Sequence, residues 1–331
     1  MSLTALSTRP FRHYLIGNAI SLHGLWVQKI TIGWMAWEAT GSIGFLGWLA
    51  FLNYAPPLFL GPFFGVIVDR VNIRKAAITT QSLFLFAALA LLALHLLQLA
   101  GPASLSAVAF FIGLVTSAQH PVRMAITPRL VPASQLASVV LLLSLNFNLA
   151  RVIGPAIGGA IIATFGITAA LAFTVLAFFP FVPILHRLSP RPNLPSPQTS
   201  LRTDFSEGFR YVLGSRFIRT ATLITGLFSF SGRGALELLP SLAEGSYQRG
   251  AAGLGVLTAI QLQVQDHIRG RVMSLWIMVA MGGTAFGALL LGALADAIGL
   301  GAALQIFGAS TALATISVLI HRRIAKSGES R

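Results

Sequence analysis

Two stretches of this chain, laid side by side, decide its architecture: VPASQLASVVLLLSLNFNLARVIGPAIGGAIIATFG over residues 131–166 and VQDHIRGRVMSLWIMVAMGGTAFGALLLGALADAIG over residues 264–299. Without a gap they pair Val131 with Val264, Gly154 with Gly287, Gly159 with Gly292 and Gly166 with Gly299, at an offset of 133. Nearer the start of each copy, Gly47-Trp-Leu-Ala pairs with Gly255-Val-Leu-Thr at an offset of 208. The offset therefore falls by about 75 residues, and the stretch from about Leu52 to Ile126 has no counterpart in the second copy. Self-similarity at long range marks a fold built from duplicated units. The chain reads as a six-span half followed by a half reduced to four spans.

Composition says what kind of spans these are. The chain is 55% hydrophobic and 10% charged, with a mean hydropathy of +0.78. Soluble domains carry about a quarter charged residues. Apolar runs near the roughly 20 residues that a helix needs to cross a bilayer recur along the whole length. Backbone groups in lipid must be satisfied within the segment, so the runs are helices. Ten are expected, near 14–37, 43–68, 76–99, 104–126, 136–164, 167–186, 218–240, 250–265, 272–297 and 300–320. The eighth is short and glutamine-rich, so it spans poorly. The expected fold class is an all-α polytopic membrane protein, a two-half helical bundle of about ten spans. Its parts are an N-terminal half over 1–188, a linker with a surface helix over 189–215, and a shortened C-terminal half over 216–331.

The net charge of +14 does not point to nucleic acid. The basic residues gather at alternate ends of the spans: Arg9 and Arg12 before the first, Arg70, Arg74 and Lys75 after the second, Arg123 and Arg129 ending the fourth. More follow between the sixth and seventh and in the tail. The intervening loops near Gly41, Gly101 and Gly166 carry none, and Arg249 is the exception. Lys and Arg accumulate on the cytoplasmic side. Both termini are therefore expected in the cytoplasm, in the inner (plasma) membrane. The first run lacks a signal cleavage pattern. With no cysteine, disulfides and thiolate metal sites are excluded.

Three segments carry a resemblance. GVIVDRVNIRK from Gly65 is similar to the G-x-x-x-D-R-x-G-R-R loop of the major facilitator superfamily, keeping Gly65, Asp69, Arg70 and Arg74 and departing at Asn72 and Ile73. RVIGPAIGG from Arg151 resembles the G-P-x-x-G-G core of that family's helix 5 antiporter motif, without its upstream glycines. DHIRGRVMSLW from Asp266 is similar to the approach to the family's eleventh helix. The resemblance is to the branch of enterobactin-exporter-like and multidrug-like proton antiporters. It implies a family pattern of twelve helices, with parts of helices 8 to 10 missing here. It also implies a cytoplasmic latch at Gly65, Asp69, Arg70 and Arg74, with Asp69 and Arg74 as ionic partners. A leak-blocking bend at Arg151, Gly154, Pro155, Gly158 and Gly159 follows as well.

The candidate cavity and coupling residues are Trp26, Gln28 and Lys29 in the first span and Arg233 and Glu237 in the seventh. A charge inside a span is costly and usually faces a cavity or a partner. Lys29 reads equally as an anion contact, an ion-pair member or a snorkelling side chain. Arg233 and Glu237, four residues apart, can neutralise each other or carry a proton. Asn146 and Asn148 read as interhelical hydrogen-bonding groups, and Glu38, Glu244 and Asp296 as solvated end groups. No metal spacing, phosphate loop or nucleophile–base pair stands out, so the reading is not an enzyme and needs no cofactor beyond a proton gradient. The expected function is proton-coupled export of small organic molecules, such as drugs or siderophores, by a monomer in the lipid bilayer. The alternatives are a transport-inactive remnant and a membrane interaction protein.

Overall fold

The computed structural model describes residues 3–191, 210, 213–214, 216–230 and 266–328. Nine α-helices fall within these residues: α1 (Arg9–Thr40), α2 (Ile43–Arg70), α3 (Ile73–Leu96), α4 (Pro102–Ile126), α5 (Leu136–Phe178), α6 (Phe181–Arg187), α7 (Arg216–Phe228), α8 (Asp266–Ile298) and α9 (Leu300–Gly328). Short 3₁₀ turns precede α1 and join α4 to α5. The expected span at 250–265, most of the expected surface helix, Arg233, Glu237 and Glu244 lie outside the described residues.

The quoted stretches fold alike. α5 runs on through spans five and six, but Gly166 breaks it with φ 80° and ψ 175°. Gly299, its partner in the repeat, has φ 83° and separates α8 from α9. That conformation belongs to glycine alone in practice. At about 1.5 Å per residue, the 55-residue helical stretch Ala133–Arg187 is far longer than one bilayer crossing. Gly166 divides it into two.

Five stretches among the described residues are long and apolar enough to cross a bilayer: Ile43–Gly61, Ile73–Leu96, Pro102–Leu130, Ala133–Arg187 and Met281–Ile298. α1 carries polar residues on its buried face. Asn18, Ser21, Gln28 and Thr31 all point inward. Gln81 of α3 bonds Ser21 and donates to the Phe178 carbonyl at 3.2 Å, so α1, α3 and the end of α5 share one buried junction.

Contacts divide the chain into two compact units, Met1–Thr40 with Phe63–Pro197, and Gly41–Pro62 with Gln198–Arg331. In the first, α1 packs most extensively on α5. It runs beside both limbs: Gly17 and Gly24 approach Phe181 and Ala177, while Gly154 and Gly158 approach Trp26 and Val27. At the arginine-rich end Phe11, Tyr14, Val68, Ile73, Val122, Ile126 and Leu185 form a continuous apolar core. In the second unit, α8 packs on α7 and α9. The first turns of α2 also belong here. Gly47 lies against the Ala288 carbonyl, and Gly292 against the Ile43 carbonyl.

Candidate functional site

The antiporter-like motif is first of all a helix crossing. A Cβ on Gly154 would stand 2.5 Å from the Trp26 Cβ, and one on Gly158 would stand 3.3 Å from the Val27 Cα. Small residues let two helices approach this closely. Gly159 has no atom within 4 Å of such a Cβ and faces away. Pro155, inside α5, has no N–H and so releases the carbonyl of Arg151 from the helical ladder.

Around this crossing the candidates separate into two groups. Trp26 packs edge-on against Phe147 at 6.2 Å. Lys29 Nζ lies 4.9 Å from the centroid of the Trp26 ring, within cation–π range. Phe147, Arg151 and Gly154 are spaced i, i+4 and i+7, so Arg151 lies on the stripe of α5 that meets Trp26. Lys29 and Arg151 are both half-buried. Trp26 stands 17 residues, about 26 Å, into α1. Two cations and an indole thus share one seam near the middle of the helix, and the Trp26 Nε1–H is buried without an acceptor. Such a set is suited to an aromatic or acidic organic group.

Gln28 is not part of that seam. It lies one turn above Gly24, on the face turned to the bundle interior, 1% exposed, with neither amide atom partnered. The asparagines of α5 do not link helices as expected. Asn148 donates to Ser144 of its own helix at 2.8 Å, and the Asn146 amide nitrogen is buried without a partner.

The latch-like loop has a different chemistry from its motif. Asn72 stands where glycine is usual, and its Oδ1 accepts from the Arg74 and Lys75 amides, both at 3.1 Å, capping α3. Arg74 Nη1 donates to the Leu188 carbonyl at 3.4 Å, tying this loop to the residue that closes α6. Gly65 has open space around it. Arg70 ends α2 exposed. The expected Asp69–Arg74 pair rests on an Asp69 side chain outside the described ones. Nearby, Arg123 lies close enough for its charge to act on both Tyr14 and His120.

Asp296 is not a merely solvated end group. Its carboxylate accepts from Ser42 Oγ (2.7 Å), the Ile43 amide (2.9 Å) and the Gly44 amide (3.0 Å), so a residue of α8 caps α2. Only the fold supplies this pairing, since 254 positions separate Asp296 from Ser42. Glu38 is exposed and accepts from Trp34 Nε1 at 2.7 Å.

Residues 1–259 match the family described as transmembrane secretion effectors. The enterobactin exporter EntS of Shigella boydii is 26% identical over 269 residues, covering 78% of this chain and 62% of that protein. Macrolide efflux protein A of Streptococcus pyogenes is 28% identical over 161 residues, 48% of this chain and 40% of that protein. The chain thus spans less than two thirds of the length of these relatives. Among solved structures, the nucleoside transporter NupG shares the fold at a TM-score of 0.60 and 11% identity, covering 94% of this chain and 98% of that one. A human organic anion transporter does so at 0.52 and 13%, covering 94% and 99%. With the family matched over most of the chain and the helices following major facilitator transporters, this protein belongs to the transmembrane secretion effectors, in the enterobactin-exporter-like branch of the major facilitator superfamily.

Proposed function

We propose that the protein is a secondary exporter of small, acidic or aromatic organic molecules, driven by proton entry through alternating access. The observation that carries this reading is the seam of Trp26, Lys29 and Arg151 near the middle of α1. Charges at that depth are costly unless they meet a partner or a ligand. Named relatives export enterobactin and macrolides, which supports a sizeable organic substrate. In this reading both termini face the cytoplasm of an inner membrane, the working unit is a monomer, and no cofactor or nucleic acid takes part. Glu237, outside the described residues, is the candidate proton carrier, with Arg233 as its counter-charge.

The test is efflux from cells or proteoliposomes loaded with a panel of siderophores, macrolides and aromatic acids. The expected result is export of at least one that stops when an uncoupler collapses the proton gradient. Export that survives the uncoupler would sink the coupling. One observation favours a second reading, a transport-inactive protein: the repeat offset falls by about 75 residues within the second half. Absence of gradient-dependent export across the panel, by a chain that is folded in the membrane, would select it.

A further inference from the structure

The arginine-rich end of the first unit carries a cleft of about 460 Å³ where α2 gives way to α3 and the chain leaves α6. Arg70, Arg74 and Arg191 line it, together with Asn72 and Ser189. Among the described residues that line it there is no carboxylate. The floor is held in place. Asn72 caps α3, Arg74 bonds the Leu188 carbonyl, and the Arg191 amide donates to the Arg129 carbonyl at 3.2 Å. The first turn of α3 adds the positive end of its dipole to the three guanidinium groups. Guanidinium clusters of this kind recognise phosphate oxygens.

A second feature leads into the cleft. Phe63 and Ile67 lie one turn apart on α2 and Val71 follows just past its last residue, and they are 54%, 47% and 38% exposed. They form an apolar stripe of about 12 Å, at 1.5 Å per residue, ending beside Arg70. Half the hydrocarbon core of a bilayer is about 15 Å. A cationic cleft at the end of an apolar track of that length fits an amphiphile with an anionic head and an acyl chain.

We infer that this cleft is a binding site for an anionic phospholipid. The phosphate is held by Arg70, Arg74 and Arg191, and one acyl chain lies along Phe63, Ile67 and Val71. The lipid then braces the loop between α2 and α3 against the end of α6. A soluble phosphate compound would use the same arginines but not the stripe.

The test is native mass spectrometry of the full chain in detergent, titrated with phosphatidylglycerol and with phosphatidylcholine. Wild type should take up one phosphatidylglycerol in preference to phosphatidylcholine. With each arginine near a membrane surface worth about 1 kcal/mol, the double substitution Arg70→Gln, Arg191→Gln should weaken that binding roughly twentyfold or more. Arg12→Gln, on α1 and outside the cleft, makes the same charge change as Arg191→Gln alone and should leave it within about twofold. Ile67→Asn should weaken phosphatidylglycerol without creating a preference for phosphatidylcholine. If the double variant does not fold, Arg191→Gln alone and Ile67→Asn carry the test. Equal binding of both lipids, or unchanged binding in the arginine variants, overturns the proposal. So does glycerol 3-phosphate competing as strongly as the lipid, because the site would then be one for soluble phosphates.

Discussion

At the α1–α5 crossing a methyl group on Gly154 would meet the Trp26 side chain, whereas at the α7–α8 crossing a methyl on Gly287 would meet the Phe230 carbonyl oxygen. The repeat pairs these two glycines, and the fold uses both to bring a later helix against an earlier one of the same unit. Their neighbours differ. In the first unit the glycine makes room for an indole, and two cations share the seam. In the second, Gly283 and Gly287 touch the backbone of Gly226 and Phe230, and Phe230 stacks on Phe307 at 5.4 Å. One duplicated packing solution has become a polar seam in one unit and a tight apolar joint in the other. Side chains can move or titrate against a ligand, while two touching backbones mainly set spacing.

The sharpest contrast comes from adding a methyl to each glycine. Gly287→Ala should lose stability at or beyond the upper end of the roughly 1–3 kcal/mol typical of overpacking, because a backbone carbonyl cannot swing away. Gly154→Ala should cost less, and Gly158→Ala less again. Gly159→Ala should be neutral or raise stability by about 0.5–1 kcal/mol, since it is open and helical. Thermal melting of the detergent-solubilised protein reads all four. Equal losses at Gly154 and Gly287 would remove the distinction between the crossings.

Function should divide along the same line. Lys29→Gln or Arg151→Gln should lower export of an acidic substrate by about tenfold or more, the scale of a hydrogen bond to a charged group, with unchanged folded yield. Gly226 and Phe230, beside the second joint, should affect yield rather than selectivity. If the Lys29 and Arg151 variants export normally while losing folded protein, the polar seam is structural.

Smaller effects follow from the end cap and the buried amide. Asp296→Ala should cost about 1 kcal/mol, as for loss of a helix N-cap, read as a lower melting temperature. Ser42→Ala should cost a similar amount, because the Phe45 amide loses its acceptor on Ser42 Oγ while both amide bonds to the Asp296 carboxylate persist. Gln28→Leu should be neutral or slightly stabilising, since it replaces an amide that has no partner by an apolar group of similar length. A clear fall in melting temperature there would show that Gln28 has a partner.

Much of the fold was legible because bilayers impose simple rules on local chemistry. The expected first to fourth spans coincide closely with α1 to α4, and the paired glycines at 166 and 299 fall on equivalent helix breaks. Less of the site was legible. Trp26, Gln28 and Lys29 were grouped by sequence proximity, but residues two apart on a helix point to nearly opposite sides. Gln28 accordingly turned inward. Asn146 and Asn148 carried the composition of interhelical glue without neighbours in reach. The Asn72 cap was visible as a departure from the family loop, and its side chain-to-backbone bonding is the kind of local signal that would have identified it.

Hydropathy, charge alternation and the internal repeat set the membrane class, the order of the spans and the shortened second half, since each depends on residues near one another or on long-range likeness between segments. The pairing of Asp296 with the start of α2, the separation of Trp26 and Lys29 from Gln28, and the joining of Arg70, Arg74 and Arg191 in one cleft depend on which helix faces touch. That choice is made by packing between segments distant in the chain, where a single glycine decides how closely two backbones approach.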